Sequence, residues 1–320
     1  MTPETLKALR GSLPPFGAGL NSTSEFADYL RFYGLDFSAK YPTAEYQAGT
    51  VQSGHYSLMV HRWLQPDAQQ NLLLVHGYFD HTGLYNRLIE YGLSRGCNVL
   101  IFDLPGHGLS SGEPAVIDDF SHYSRAIEDV LNQAVLPQLP LSAIGQSTGC
   151  AALIQFARGH HWSFANTVFL APLVRPAAWR RVRAGHFLTK RFTEDVQRTF
   201  NENSSDKDFL AFIQADPLQA HRIPQRWIAA LKCWLASLPK DDLGVGPVLV
   251  VQGEEDGTVA WRYNLKVLSK MFAHSRVELI TGAGHQLANE SADLREKYYL
   301  LIDDYLGLCP VQMVESGQLP

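Results

Sequence analysis

The sequence predicts an α/β fold: a mostly parallel central sheet flanked by helices, with a helical cap inserted between two of its strands. Three features point there. From about residue 44, short apolar runs alternate with segments of helical period. The runs are continuous rather than alternating, as strands covered on both faces are. The rhythm breaks between Leu173 and Asp242 and then resumes, which marks an insertion.

The elements follow in order. "AEYQAGTVQ" and "YSLMVHRWLQ", the second with period-2 alternation, predict an antiparallel edge pair. After the turn "PDAQQN", "LLLVHG" is a buried strand stopped by glycine, and "GLYNRLIEYGLSRG" is a helix ending in a glycine suited to a C-cap. "NVLIFD", "LSAIG" and "NTVFLAP" are further strands, separated by helices over "DDFSHYSRAIEDVLNQAV" and "TGCAALIQFARG". Beyond the insertion, "GPVLVVQG" and "RVELITG" are strands, with helices over "AWRYNLKVLSKMFA" and "LREKYYLLIDDYLGL". The expected organisation is an N-terminal extension over 1–43, a core over 44–172 and 243–308, a helical cap over 173–242 and a tail over 309–320. The first 40 residues are ambiguous, and no internal repeat or low-complexity segment is present.

Composition narrows the class. With 320 residues, 46% hydrophobic and 18% charged, the chain reads as globular rather than disordered. A net charge of −5 gives no reason to expect nucleic acid as a partner. Cys97, Cys150, Cys233 and Cys309 lie far apart, without C-x-x-C or metal-ligand spacing, so thiols in a reducing compartment are expected rather than a disulfide framework. The N-terminus lacks the apolar region of a signal peptide, and the apolar runs are too short to span a bilayer, so a cytoplasmic location is expected.

The chemistry centres on Gly145-Gln146-Ser147-Thr148-Gly149, a G-x-S-x-G between a strand and a helix. Glycines are needed where a strained serine crowds the backbone; the pentapeptide alone is weak evidence of a nucleophile. A serine needs a base, and the base an orienting acid. "ITGAGH" puts His285 just after one strand, and "VVQGEEDGTV" puts Asp256 just after the preceding one. Singly, His285 reads as a loop histidine and Asp256 as a turn former before Gly257. Jointly, in the order Ser147, Asp256, His285, each after its own strand, they predict a triad at the carboxyl edge of a parallel sheet. The amides of Tyr78, after the pair His76-Gly77, and of Thr148 are the expected oxyanion donors; losing one such donor costs roughly 3 kcal/mol of transition-state stabilisation. His76, His81 and His107 read as structural hydrogen-bonders.

Together these residues resemble the α/β-hydrolase superfamily, and within it the monoacylglycerol lipase, lysophospholipase and serine aminopeptidase group. "HGYFDHTGLY" is similar to the group's HG-x-x-x-H segment followed by tyrosine, "FDLPGHGLSSGE" to its D-x-x-G-H-G-x-S-x-G signature, and "DPLQAHRIPQRW" to a D-P-L segment of its cap. The resemblance covers about residues 45 to 305. It implies Ser147 as nucleophile, Asp256 as acid, His285 as base, no metal or organic cofactor, and ester hydrolysis through an acyl-enzyme. Gln146 and Cys150 depart from the group's G-H-S-x-G-G elbow, and Glu255 is the alternative acid. The loop around Gly106, Gly108 and Gly112 is expected as a scaffold that Asp103 shapes. An aminopeptidase using the same triad is the alternative function; it needs an acid such as Asp80 or Glu255 for the substrate amine.

The insertion carries Trp179, Phe187, Phe192, Phe200, Phe209, Phe212, Trp227 and Trp234. "RWIAALKCWLASL" places Trp227, Leu231, Trp234, Leu235 and Leu238 on one helical face. These residues build either the insertion's own core or an apolar roof favouring medium or long acyl groups. The expected partner is a small ester or lipid. Arg175, Arg180, Arg181, Arg183, Lys190 and Arg191 form a basic run, which reads most simply as a solvated face; peripheral contact with an anionic membrane, or a lysophospholipid phosphate, is the other reading.

Overall fold

The computed structural model describes residues 1–18, 23–199 and 202–310. Two helices lead, α1 (Pro3–Ser12) and α2 (Ser24–Tyr33). Then come β1 (Glu45–Ser53), β2 (Tyr56–Leu64), β3 (Gln70–Val75), α3 (Asn86–Ser94), β4 (Cys97–Phe102), α4 (Ser121–Gln133), β5 (Leu141–Gln146), α5 (Thr148–Gly159) and β6 (Asn166–Leu170). The inserted section holds α6 (Trp179–Thr189), β7 (Asp195–Gln197), α7 (Lys207–Ala215), β8 (Arg222–Pro224) and α8 (Gln225–Ser237). The core resumes with β9 (Val248–Gly253), α9 (Trp261–Met271), β10 (Ser275–Ile280) and α10 (Ala292–Leu306).

Eight strands form one sheet in the order β1-β2-β4-β3-β5-β6-β9-β10. β2 pairs antiparallel with β1 and β4, and every pairing from β4 to β10 is parallel. The sheet is covered on both faces, as its continuous apolar strands require. Along β3, Leu72 and Leu74 face a layer containing Leu88 of α3 and Tyr298 of α10, whereas Leu73 and Val75 face one containing Ile127, Leu153 and Leu268. Registers Val75↔Gly145, Gln146↔Leu170, Leu170↔Val251 and Gly253↔Ile280 bring the carboxyl ends of β3, β5, β6, β9 and β10 to one edge. The loops after four of these strands carry the predicted site residues.

The structure adds detail to the expected organisation. In the N-terminal extension, Leu6, Leu9, Phe26, Tyr29 and Tyr33 are buried in the same layer as Leu72 and Leu74. Their aromatic content is the reason, since Tyr29 stacks against His61 at 6.1 Å and Arg10 donates to the Gly108 carbonyl at 2.6 Å. The cap is mainly helical, and within it β7 and β8 pair antiparallel through Val196↔Ile223. Three-residue strands leave no periodicity for a sequence to display. Phe200 and residues 311–320 of the tail lie outside the described residues.

The cap aromatics form no single core of their own. Trp227, Leu231 and Trp234 are buried among core residues, with Trp227 stacked on Tyr78 at 3.8 Å and Trp234 on Phe120 at 4.7 Å. Phe209 and Phe212 pack toward α2, while Phe187 and Phe192 are exposed.

The cap is fastened to the core by a buried carboxylate. Asp216 accepts from the Tyr33 hydroxyl at 2.7 Å, His81 Nε2–H at 2.8 Å, Gln219 Nε2 at 3.1 Å and the Leu218 amide at 3.1 Å. His81 Nδ1 accepts from the Gly83 amide, which leaves Nε2–H to face Asp216. Burial pushes the Asp216 carboxyl up, but the adjacent His81 imidazole and these donors outweigh it and hold it at about 2. A carboxyl depressed on folding stabilises above its unfolded pKa, and that contribution is lost as pH falls through the folded value. Asp216→Ala strands several buried donors and is expected to cost about 3 kcal/mol or more. Urea denaturation measures this, and the gap between wild type and Asp216→Asn should narrow as pH falls below about 4.

Candidate active site

Ser147 occupies the turn between β5 and α5 with φ 52 and ψ −109, a left-handed backbone that costs a non-glycine residue of order 1–3 kcal/mol. Its neighbours explain the glycines. A Cβ at Gly145 would lie 2.9 Å from the Cys150 nitrogen, and one at Gly149 would lie 2.0 Å from the Val75 carbonyl oxygen. The start of α5 therefore presses directly on the end of β3. Ser147 is pinned by its amide donating to Leu170 O at 2.9 Å and by its carbonyl accepting from the Leu173 amide at 3.1 Å.

The three predicted side chains meet. His285 Nε2 lies 2.9 Å from Ser147 Oγ, and His285 Nδ1 lies 2.7 Å from Asp256 Oδ2. With the ring proton on Nδ1, the imidazole donates to Asp256 and Nε2 accepts from the hydroxyl. Asp256 is saturated: Oδ1 accepts from the amides of Thr258 and Val259, and Oδ2 also from Gln252 Nε2 at 3.0 Å. Burial raises the Asp256 carboxyl, but the neighbouring His285 and these donors more than offset it, leaving the group below the usual carboxylate range. All three residues are buried, while Glu255 is exposed.

Gly77 brings the remaining component alongside. A Cβ there would touch Ser147 Cβ at 3.4 Å, so the turn after β3 lies against the serine. Tyr78 and Thr148 both line the cavity that Ser147 faces. Both belong to the two turns that flank the hydroxyl. The Tyr78 side chain is engaged elsewhere, its hydroxyl donating to Ala115 O at 2.8 Å.

The other histidines hold loops. His76 Nδ1–H donates to Gly77 O at 2.7 Å and Nε2 accepts from the Leu104 amide at 2.8 Å; burial pushes the ring down to about 3, so it stays neutral. His107 donates to Pro105 O at 2.9 Å and is likewise pushed down by burial, to about 4. Asp103 accepts from the Thr82 and Leu109 amides, both at 2.7 Å, and a Cβ at Gly108 would sit 2.0 Å from its Oδ2. The glycine-rich segment thus wraps a buried carboxylate.

Four contributors, Gln146, Asp80, Gln286 and Arg198, were not legible in their roles. Gln146 Nε2 donates to His285 O at 2.8 Å, fastening the histidine loop to the elbow. Asp80 accepts from Gln286 Nε2 at 2.9 Å and from the Tyr85 hydroxyl at 3.1 Å, and burial raises its carboxyl. Arg198 lines the same cavity, 4.0 Å over the Phe79 ring, and donates to Gln219 Oε1 at 2.7 Å; burial lowers it to about 10. Asp80 sits inside the HG-x-x-x-H segment and carried a signal, whereas Arg198 and Gln286 carried none. The cavity measures about 250 Å³, and Leu173, Val182, Ile213, Trp227 and Leu231 make its wall mainly apolar. Among the described residues, no cluster of His, Cys, Asp and Glu is disposed to hold a metal ion.

Such an array can deprotonate a hydroxyl, stabilise a tetrahedral oxyanion and accommodate an apolar group. The sequence profile described as "Serine aminopeptidase, S33" matches residues 66–292. The chain is similar to the monoglyceride lipase homolog of Monkeypox virus, at 26% identity over 73% of this chain and 88% of that protein. It is also similar to phospholipase YtpA of Bacillus subtilis, at 22% identity over 68% and 88% respectively. Among solved structures, a soluble variant of monoglyceride lipase from Saccharomyces cerevisiae superposes with a TM-score of 0.71, at 20% identity, covering 83% of this chain and 96% of that one. That likeness establishes the shared fold.

The elbow geometry makes a contrast between glycines testable. Gly149→Ala forces a Cβ into the Val75 carbonyl and is expected to cost about 1–3 kcal/mol or more with loss of turnover. Gly185→Ala, in α6 with nothing within 4 Å, should be neutral or stabilising by up to about 1 kcal/mol. Thermal denaturation of both variants checks the difference.

Proposed function

This chain belongs to the serine aminopeptidase S33 family, and on that footing we propose that it hydrolyses carboxylic esters of acylglycerol or lysophospholipid type. The observation that carries this reading is the Ser147–His285–Asp256 hydrogen-bond chain opening into a mainly apolar cavity. Ser147 Oγ attacks the ester carbonyl while His285 Nε2 takes its proton. Asp256 keeps the second ring nitrogen oriented and stabilises the imidazolium. The Tyr78 and Thr148 amides hold the oxyanion, the alcohol leaves with the proton from His285, and water activated by the same ring frees the acid.

The aminopeptidase alternative is disfavoured by the cavity's charges. Both Asp80 oxygens already accept hydrogen bonds, Glu255 is exposed, and Arg198 would repel a substrate ammonium. An acyl chain suits the wall better, at about 0.8 kcal/mol per buried methylene.

Substrate of this kind resides in membranes, and the exposed residues of α6 and of the turn after it are suited to reach it. Phe187, Leu188 and Phe192 are 72%, 66% and 84% exposed, beside the exposed cations Arg180, Arg181, Lys190 and Arg191. Apolar side chains bracketed by positive charge favour peripheral contact with an anionic surface. Among the described residues, no helix is long and apolar enough to cross a membrane.

Ser147→Ala should abolish ester turnover with an unchanged circular dichroism spectrum, and Asp256→Asn should lower kcat by about 10⁴-fold. Across aryl esters of increasing chain length, kcat/KM should rise by about fourfold per methylene until the cavity is filled, while aminoacyl anilides turn over poorly. Wild-type turnover by Ser147→Ala would remove that residue from the mechanism. Sedimentation with phosphatidylserine vesicles tests the α6 face, since Phe187→Ser/Phe192→Ser should reduce binding; unchanged binding would refute that contact.

A further inference from the structure

A second large concavity shares no lining residue with the active-site cavity. It is a groove of about 960 Å³ at the junction of the cap helices α6 and α8 with the core helix α9. Six cations line it: Arg175 on the entry to the cap, Arg183 on α6, Lys232 on α8, Lys240 on the return segment, and Lys266 and Lys270 on α9. No carboxylate lines it, although the chain as a whole carries a net charge of −5. Among the described residues, none of the six forms an ion pair.

The groove has an apolar component as well. Trp179 and Tyr263 contribute rings, and Leu235 and Val267 contribute aliphatic surface. The Arg175 guanidinium stacks 3.3 Å from the centre of the Tyr263 ring, and its Nε is buried with no hydrogen-bond partner among the described residues.

We propose that this groove is a second binding site, for a soluble organic polyphosphate of the nucleotide class, which bridges cap and core. Like charges on three helices repel across the groove, and a multiply charged anion converts that repulsion into attraction on every side. The ring and aliphatic lining offers a base apolar surface beside the cations, which an inorganic anion would leave unused. A bilayer is flat, and its phosphates would reach the rim of a concave groove rather than its interior. The site is independent of the ester chemistry, because none of its residues belongs to the triad or to the cavity wall.

Calorimetric titration of the full chain with ATP, adenosine and inorganic tripolyphosphate tests this. ATP should bind more tightly than either of the others, and its affinity should fall as salt is raised. Lys266→Glu/Lys270→Glu on the core side and Arg183→Glu/Lys232→Glu on the cap side should each weaken ATP binding about tenfold or more. Both double variants should retain wild-type turnover of a short aryl ester, which reports that they fold. Ser147→Ala should bind ATP as wild type does, so failure of the ester reading and failure of this one are separable. The proposal is overturned if ATP does not bind, if tripolyphosphate binds as tightly as ATP, or if a folded charge-reversed pair keeps wild-type affinity. Capture by phosphatidylserine vesicles through Lys266 and Lys270 without competition from ATP would overturn it equally.

Discussion

The close approach of α5 to the end of β3 is the contact on which the site depends. At Gly149 the backbone of one element lies where any side chain would overlap the Val75 carbonyl, and at Gly145 the turn closes on itself within similar limits. That compression holds Ser147 at φ 52, and the left-handed backbone lifts its hydroxyl toward the cavity instead of into the sheet. The strain is tolerated because buried packing around Leu153, Val75 and Ile144 is large compared with it. Two glycines and a serine in an apolar stretch are therefore one structural decision. Gly77 extends the same logic to the neighbouring turn.

Buried polar groups in this molecule divide by what they hold. Asp103, Asp216, His76 and His107 spend their hydrogen bonds on backbone amides, carbonyls and neighbouring side chains, and they fix the loops that surround the cavity. The Ser147–His285 pair is different, because both residues line the cavity. Asp256 links the two classes, with three donors besides His285 holding its carboxylate rigid enough to orient the ring. Gln146 then ties the His285 backbone to the turn that carries Ser147.

Much of this was legible in the chain because each feature leaves a local trace. A buried parallel strand must be apolar throughout, so "LLLV" and "VLVV" declared β3 and β9. Turns that need close approach must carry glycine, so the elbow and the glycine-rich loop around Asp103 declared themselves too. The order Ser147, Asp256, His285 followed from strand succession alone. What the sequence hid was long-range. Nothing near Asp216 says that its partners are Tyr33 and His81, 183 and 135 residues away. The helices of the first 43 residues pack by tertiary contact, their ten-residue lengths giving little periodicity to read. The basic run around α6 divides in the fold, with Arg175 and Arg183 lining the groove and Arg180, Arg181, Lys190 and Arg191 left on the outer face.

The cap thus joins three surfaces, an apolar wall over the serine, an exposed apolar face beside cations, and a cationic groove against α9. All three rest on a sheet edge where residues distant in sequence become neighbours. Whether that edge performs nucleophilic chemistry is tested most directly by covalent labelling with a fluorophosphonate, followed by mass spectrometry of the digested protein. The geometry predicts one adduct, on Ser147, with ester turnover lost in proportion to its formation. Stoichiometric labelling of another residue with Ser147 unmodified, or full turnover by protein labelled at Ser147, would contradict it.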